Sequence, residues 1–246
     1  RMARAREQSF DIALAPSGES LGIIAPLLKK TSITLCAQDC FWEDRGAFTG
    51  EVSPRALKQI GCSLVLVGHS ERRIHLGETD VMVKRKVAAA LHVPGLQPVL
   101  CIGESLSQRR AGTYFAFLKR QLVDALGTVS KKDRHRIIIA YEPIWAISTA
   151  AQLQGAAGRP ITPADCEEVY LFLRKTISRI LPTASPRILY GGSVDADNLL
   201  SYVKPGISDG ALIGGASVDN KEMNAIIQAL RRYPISLARP PINQKS

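Results

Sequence analysis

Short apolar stretches alternate with amphipathic stretches along most of this chain, and the alternation limits the folds that it can adopt. The apolar stretches are short and many of them are rich in β-branched residues, so they predict buried strands. We predict seven strands, at Asp11–Ala15, Ile33–Gln38, Leu64–Gly68, Gln97–Ile102, Ile137–Glu142, Arg187–Gly191 and Gly210–Gly214. The amphipathic stretches predict helices at Arg55–Ile60, Asp80–Leu91, Tyr114–Leu126, Pro163–Ile180 and Lys221–Tyr233. Strands that alternate with helices form right-handed β–α–β units, so we expect an α/β fold with a parallel sheet.

The composition indicates a single folded domain. Hydrophobic residues make up 46% of the 246 residues, which is ample for a core. No apolar run reaches membrane-spanning length, and the Arg-rich start of the chain lacks the apolar centre of a signal peptide. Because no linker or change of composition divides the chain, we predict one domain over residues 1–246, with an irregular tail at 234–246.

Cysteine content and charge narrow the function classes. The five cysteines are odd in number and lack the spacing of metal ligands, which suits a reduced cytoplasmic protein without a metal site. The formal net charge is +10, but the basic residues are scattered and accompany no recognised nucleic-acid-binding motif. Solvated helix faces explain most of them, and attraction for an anionic substrate explains most of the remainder. We therefore expect neither nucleic acid nor a membrane as a partner.

A glutamate ends the most apolar predicted strand. The strand begins with four apolar residues, Ile137 to Ala140, and Pro143 prevents it from continuing beyond Glu142. The carboxyl ends of strands are where α/β folds keep their ligand sites. A carboxylate that is half shielded there has a raised pKa and is a better proton acceptor near neutral pH. The alternative for an isolated glutamate is a surface salt bridge.

Two other features follow predicted strands. His69 and Glu71 come just after Leu64–Gly68, where backbone N–H groups favour a neutral histidine that donates a hydrogen bond; the alternative is a structural histidine. Glycine pairs follow the last two strands, in Tyr190-Gly-Gly-Ser193 and in Ile213-Gly-Gly-Ala-Ser217. Glycine lets the backbone approach a ligand closely, and free N–H groups at helix starts bind phosphate. On consecutive β–α units, the two turns match the phosphate site of an α/β barrel.

The motifs at these positions resemble those of one known family. They are Gly68–Arg73, Ala140–Ala146, Tyr190–Val194 and Gly214–Ser217, together with Gly46–Glu51 and Cys101–Glu104. They closely resemble the motifs of the triosephosphate isomerase family and occur along the chain in the family's order, from about Asp11 to Tyr233. The resemblance implies a (β/α)8 TIM barrel that converts dihydroxyacetone phosphate to glyceraldehyde 3-phosphate without metal or cofactor.

The resemblance also implies roles for individual residues. Glu142 would move a proton between C1 and C2 through an enediolate, and neutral His69 would polarise the carbonyl and carry protons between the oxygens. This pairing is known for the family and is not worked out from the spacing. Glu71 and Ser70 would support the catalytic pair, although a structural salt bridge is an alternative role for Glu71.

Further implied roles concern binding. The backbone N–H groups of Ser193, Gly214 and Gly215 would hold the phosphate, and Ser148 would add another from the loop after Glu142, which resembles the family's lid. Gly46–Glu51, with Phe48 and Thr49, resembles a loop that inserts into a second subunit, which implies a homodimer.

The predicted lid departs from the family pattern. Ser148 and Ala150 replace glycines, which narrows the allowed backbone angles, and extra residues precede Thr162. We hypothesise that such a lid closes differently or leaves room for a larger sugar phosphate. Inhibition by phosphoglycolate and by longer analogues tests this hypothesis, since a clear preference for the smallest ligand would count against a larger pocket.

The start of the chain departs further from the family pattern. The family begins with a strand that carries an Asn-x-Lys pair, whereas residues 1–10 look like the remnant of a first helix, so the first β/α unit is largely absent. The simplest account is that part of the amino terminus is missing here; a natural truncation would instead predict weak or absent catalysis. A third possibility is that the tail fills the gap, since Asn243-Gln-Lys245 has the Asn-x-Lys spacing.

Two alternative functions stay open for the chain: an isomerase of another short sugar phosphate and a non-catalytic barrel.

Overall fold

The computed structural model describes residues 10–147 and 161–232. Their strands form one parallel sheet in which the strand order follows the chain. The strands are β1 (Ala13–Leu14), β2 (Thr34–Ala37), β3 (Leu64–Val67), β4 (Gln97–Ile102), β5 (Ile138–Tyr141), β6 (Arg187–Tyr190) and β7 (Gly210–Ala211). Each predicted strand is present. The bounds of β4 are as predicted, and the others are shorter at one or both ends.

Helices lie between successive strands and after the last one. In the described residues they are α1 (Leu21–Leu28), α2 (Pro54–Ile60), α3 (Ser70–His75), α4 (Asp80–His92), α5 (Leu106–Arg110), α6 (Tyr114–Leu126), α7 (Pro163–Ile180), α8 (Leu199–Tyr202) and α9 (Asn220–Arg232). No bounds were predicted for α1, α3, α5 or α8. The last three are too short to show helical periodicity, and Pro26 inside α1 obscured the signal there.

The sheet curls back towards its own first strand. An ion pair joins Arg187, at the start of β6, to Asp11, just before β1, with 3.6 Å between Nη2 and Oδ2. Adjacent strands lie about 4.8 Å apart, so in a flat sheet β1 and β6 would be separated by about 24 Å, which two side chains cannot bridge. The curled parallel sheet with alternating helices is that of an α/β barrel, as predicted. Within the described residues β1 and β7 form its edges.

The side chains of the central strands alternate between two clusters. The inner cluster, on the concave side of the sheet, contains Leu64, Leu66, Val99, Cys101, Ile138 and Ala140, together with Cys36 of β2. The outer cluster contains the alternate residues of the same strands and the apolar faces of the helices. This two-residue alternation determines which side chains at the strand ends point inward.

Several predictions concern residues outside the described part of the chain. They are the remnant of a first helix at residues 1–10, of which only Phe10 is described, the lid with Ser148 and Ala150, and the tail with Asn243 and Lys245. These predictions remain untested. Among the described helices, none combines the length and the apolar character that a membrane span requires.

Candidate active site

Glu142 points into the concave side of the sheet at the carboxyl end of β5. Ile138 and Ala140 belong to the inner cluster, and Glu142 follows them at the same two-residue spacing. Its side chain is 1% exposed. The carboxylate is therefore more deeply buried than the half-shielded position that the sequence predicted, because the alternation of β5 turns it inward.

Two neighbouring residues face the two oxygens of this carboxylate. Glu142 Oε2 accepts a hydrogen bond from the backbone N–H of Ser70 at 2.9 Å. His69 Nε2 lies 3.3 Å from Oε1, but their alignment is too poor for a hydrogen bond, and Oε1 accepts none from the described residues. Burial raises the pKa of the Glu142 carboxyl, and the His69 ring and the Ser70 N–H oppose the rise. One oxygen is held, and the other faces the imidazole.

His69 is oriented by the helix that it precedes. It is the N-cap of α3, where its Nδ1 accepts the backbone N–H of Glu71 at 3.4 Å. A nitrogen that accepts a hydrogen bond is unprotonated, so a neutral ring carries its proton on Nε2, which faces Glu142. This tautomer fits the predicted donor role of His69. Glu71 is exposed, and its Oε2 lies 3.9 Å from His69 Nδ1.

A buried ion network supports the backbone just before His69. Glu78 Oε1 accepts the N–H of Gly68 at 3.1 Å, and Glu78 Oε2 accepts hydrogen bonds from Arg72 Nε and Lys86 Nζ, both at 2.7 Å. Burial would raise the pKa of Glu78, but the hydrogen bonds and charges of Lys86 and Arg72 outweigh it and lower the pKa. The network therefore fixes Gly68 with an ionised carboxylate.

This network was not predicted, although the sequence carries a signal for it. Lys86 lies on the core-facing side of α4, between the buried residues Val83 and Val87. Gln121 has a similar position among the buried residues of α6. A charged or amide side chain on an apolar helix face must find a partner in the core, and such positions indicate internal polar contacts.

The backbone after Glu142 is also tied to the end of β4. Glu104 is buried, and its Oε1 accepts hydrogen bonds from the Tyr141 hydroxyl at 3.0 Å and from Trp145 Nε1 at 2.9 Å. Its carbonyl accepts the N–H of Ile144 at 3.1 Å. Burial raises the pKa of the Glu104 carboxyl, although the hydrogen bonds from Trp145 and Tyr141 act to lower it. Glu104 thus anchors both sides of the turn that follows β5.

The two glycine turns follow neighbouring strands at the same edge of the sheet, since β6 pairs with β7. Ser193 is exposed, and its hydroxyl donates to the carbonyl of Ala146 at 3.1 Å. Gly214 and Gly215 are exposed as well, and a Cβ at either position would meet no atom within 4 Å. Their backbone is therefore open to a ligand. Ser148, the fourth predicted phosphate contact, lies outside the described residues.

The loop that was predicted to contact a second subunit is exposed. Phe48 is 43% exposed, and its ring centroid lies 4.8 Å from that of Phe41. Thr49 follows it on the same exposed loop.

All five cysteines are buried with free thiols. No group of three or more His, Cys, Asp or Glu side chains within 10–147 and 161–232 could hold a metal ion.

Comparison with known proteins agrees with this geometry. The family model for triosephosphate isomerase matches residues 1–230. The chain belongs to the triosephosphate isomerase family. It is 40% identical over 224 residues to the triosephosphate isomerase of Trichlorobacter lovleyi, covering 90% of this chain and 86% of that protein. It is 41% identical over 225 residues to that of Caldanaerobacter subterraneus subsp. tengcongensis, covering 90% and 87%. The enzyme of Aquifex aeolicus is 40% identical over 222 residues, covering 89% and 86%.

Family membership confirms the resemblance that the motifs indicated and the barrel class of the fold. It also makes the chain an isomerase. The individual site residues remain predictions, and the described structure brings His69, Ser70 and Glu142 into mutual contact. Ser193, Gly214 and Gly215 lie in turns after β6 and β7. Phe48 and Thr49 lie on the loop between β2 and α2, in a different part of the chain.

Proposed function

We propose that this chain interconverts dihydroxyacetone phosphate and glyceraldehyde 3-phosphate. The observation that carries the proposal is the 3.3 Å separation between His69 Nε2 and Glu142 Oε1, beyond the carboxyl ends of β3 and β5. Active sites of α/β barrels lie at this end of the strands. The triosephosphate isomerases to which the chain is about 40% identical support the choice of a phosphorylated triose as substrate.

In the proposed reaction, Glu142 is the base. Its carboxylate removes a proton from C1 of the ketone. The electron pair of the broken C–H bond forms the C1–C2 double bond, and the carbonyl electron pair moves to the C2 oxygen. His69 donates its Nε2 proton to that oxygen and takes a proton from the C1 oxygen. Glu142 then returns its proton to C2, which gives the aldehyde with no net change of atoms or electrons.

The environment of Glu142 suits this role. Burial raises its pKa, which makes its carboxylate a stronger base than an exposed one. Oε2 is held by the Ser70 N–H, whereas Oε1 accepts no hydrogen bond within the described residues and faces His69. We assign proton abstraction to Oε1, because its lone pairs are not engaged in the arrangement described.

We assign phosphate binding to the backbone N–H groups of Ser193, Gly214 and Gly215. The open surroundings of both glycines and the position of the two turns beside each other support this assignment. The net charge of +10 favours approach of an anionic substrate. Ser148 is a further candidate, although it lies outside the described residues.

We also propose a homodimer in the cytoplasm. Phe48 and Val52 are 43% and 44% exposed on one loop, and apolar side chains there would gain from burial against a second subunit. Five free, buried thiols suit a reducing compartment. Sedimentation of the wild-type chain and of Phe48→Asp tests the dimer, which the substitution is expected to dissociate.

A coupled isomerase assay tests the proposed reaction. With glyceraldehyde 3-phosphate as substrate, we expect Glu142→Gln to lower kcat by about 10²–10⁴-fold, the usual contribution of a general base. Glu167→Gln is the matched control, because Glu167 is exposed on α7. Longer sugar phosphates, assayed alongside, distinguish an isomerase of another substrate.

The assay also has a result that contradicts the proposal. A folded wild-type chain that binds inorganic phosphate but converts neither triose phosphate would exclude it and favour a non-catalytic barrel. Full activity of Glu142→Gln would leave the reaction in place but remove Glu142 as its base.

A further inference from the structure

Glu142 is flanked by glycine on the neighbouring strand β4. Cys101 pairs with Ala140 and Ile102 with Tyr141, so the continued register places Gly103 beside Glu142. A methyl group added to Gly103 would collide with the carbonyl oxygen of Glu142 and would lie 2.7 Å from its carbonyl carbon. The two main chains are therefore in direct contact, and a movement of Gly103 towards β5 displaces the backbone of Glu142.

Hydrogen bonds join the same two segments. The N–H of Glu142 donates to the carbonyl of Ile102 at 2.7 Å, and the N–H of Ile144 donates to the carbonyl of Glu104 at 3.1 Å. The turn at residues 102–104 thus holds Glu142 from one side. A contact that holds this turn in place therefore also affects the position of the Glu142 carboxylate.

Gln121 holds the turn from the helix layer. It lies on α6 with a side chain that is 3% exposed, and its Oε1 accepts the N–H of Gly103 at 3.0 Å. The adjacent buried residues of α6 are apolar, among them Leu118 and Leu122. An amide buried among apolar side chains is unfavourable unless it is hydrogen-bonded, so this contact locks both the glutamine and the glycine.

We propose that Gln121 is a positioning residue for Glu142. It acts through Gly103, and its effect is to keep the carboxylate at its 3.3 Å separation from His69 Nε2. The inference rests on the proposed function, since it assigns Gln121 to the geometry of the same proton transfer. Misplacing a catalytic group by about 1 Å can cost on the order of 100-fold in rate, so a small shift of the turn is enough to be measured.

The test compares Gln121→Met and Gln121→Asn with Gln121→Glu. Methionine fills a similar volume without an amide oxygen, and asparagine is one methylene too short to reach Gly103. Glutamate keeps an acceptor oxygen at the same position. Ser208→Ala is the matched control, because Ser208 is also buried and its hydroxyl bonds backbone carbonyls, of Tyr202 at 2.7 Å and Gly210 at 3.2 Å.

The measurements are kcat, KM and the pH profile of kcat for glyceraldehyde 3-phosphate, with thermal unfolding of each variant. We expect Gln121→Met and Gln121→Asn to lower kcat by about 10–100-fold, with KM nearly unchanged and the acidic limb of the profile displaced. Gln121→Glu should recover most of the rate. Ser208→Ala should lower stability while leaving the profile unchanged.

The outcomes separate this inference from the function on which it rests. An active wild-type chain together with folded Gln121→Met or Gln121→Asn of unchanged kcat and pH profile would overturn the inference alone. If Gln121→Met does not fold, Gln121→Asn and Gln121→Glu decide, since equal rates in those two would also overturn it. An inactive wild-type chain would overturn the proposed function, and the role of Gln121 with it.

Discussion

Gly191 packs directly against the side chain of Glu142. A methyl group at Gly191 would lie 2.9 Å from Glu142 Cγ and 3.2 Å from the carbonyl oxygen of Tyr141. The pairing of Tyr141 with Tyr190 explains this contact, because the next residues, Glu142 and Gly191, are neighbours in register. With Gly103 on the other side, Glu142 has a glycine beside it on each of the two neighbouring strands.

The first prediction concerns this contact. We expect Gly191→Ala to push the carboxylate away from its position beside Ser70 and to lower kcat by about 10–100-fold. Gly22→Ala is the control, because Gly22 lies in α1 and a Cβ there meets no atom within 4 Å. Alanine is favourable in a helix, so the control should be at least as stable as the wild type. Equal activity of both variants in the isomerase assay would show that Glu142 tolerates the added methyl group.

The second prediction separates the two ring nitrogens of His69. In His69→Asn the side-chain oxygen can replace Nδ1 as the acceptor for the Glu71 N–H, but nothing replaces the Nε2 donor. We expect this variant to fold normally and to lose about 10²–10⁴-fold in kcat. His69→Gln places an amide near the position of Nε2 and should retain more activity with a weaker helix cap. If His69→Asn is more active than His69→Gln, the helix cap and not the Nε2 donor determines kcat.

The third prediction links activity to stability through pH. Burial raises the pKa of Glu142 in the folded state, so at any pH above that value its ionisation costs folding free energy. Glu142→Gln removes this cost, and we expect it to stabilise the protein at pH 8 by about 0.5–2 kcal/mol. The gain should shrink as the pH falls through the folded-state pKa, because the wild-type carboxyl is then protonated.

Urea unfolding of wild type and Glu142→Gln at a series of pH values measures this difference. Glu167→Gln, at an exposed position, should change stability by less than about 0.5 kcal/mol at every pH. A stability difference for Glu142→Gln that does not depend on pH would mean that ionisation of this carboxyl carries no cost in the folded state.

Local sequence pattern was sufficient to predict the strands and the position of the catalytic candidates at their ends. The apolar runs predicted each strand. His69, just after Leu64–Gly68, and Glu142, at the end of Ile137–Glu142, proved to be neighbours, because parallel strands end at one edge of the sheet. Local pattern did not locate α1, where Pro26 interrupts it, or the short helices α3, α5 and α8, in which periodicity cannot appear.

Contacts between distant residues could not be read from the chain. Ser70 and Glu142 are 72 positions apart, and the hydrogen bond between them depends on how β3, β4 and β5 align. The same holds for Gln121 and Gly103, which are 18 positions apart on a helix and a strand end. A one-residue slip in register would turn Glu142 to the other face of the sheet, and no local pattern excludes that slip.

The sequence by itself determined the alternation of strands and helices, the parallel sheet and the residue types at the strand ends, because these follow from hydrophobic period and turn chemistry within short segments. Tertiary structure alone decided that Glu142 is fully buried, that its Oε2 is held by Ser70 and its Oε1 faces His69, and that glycines flank it on both sides. These properties depend on strand register and on packing between layers, where residues far apart in the chain share one small volume.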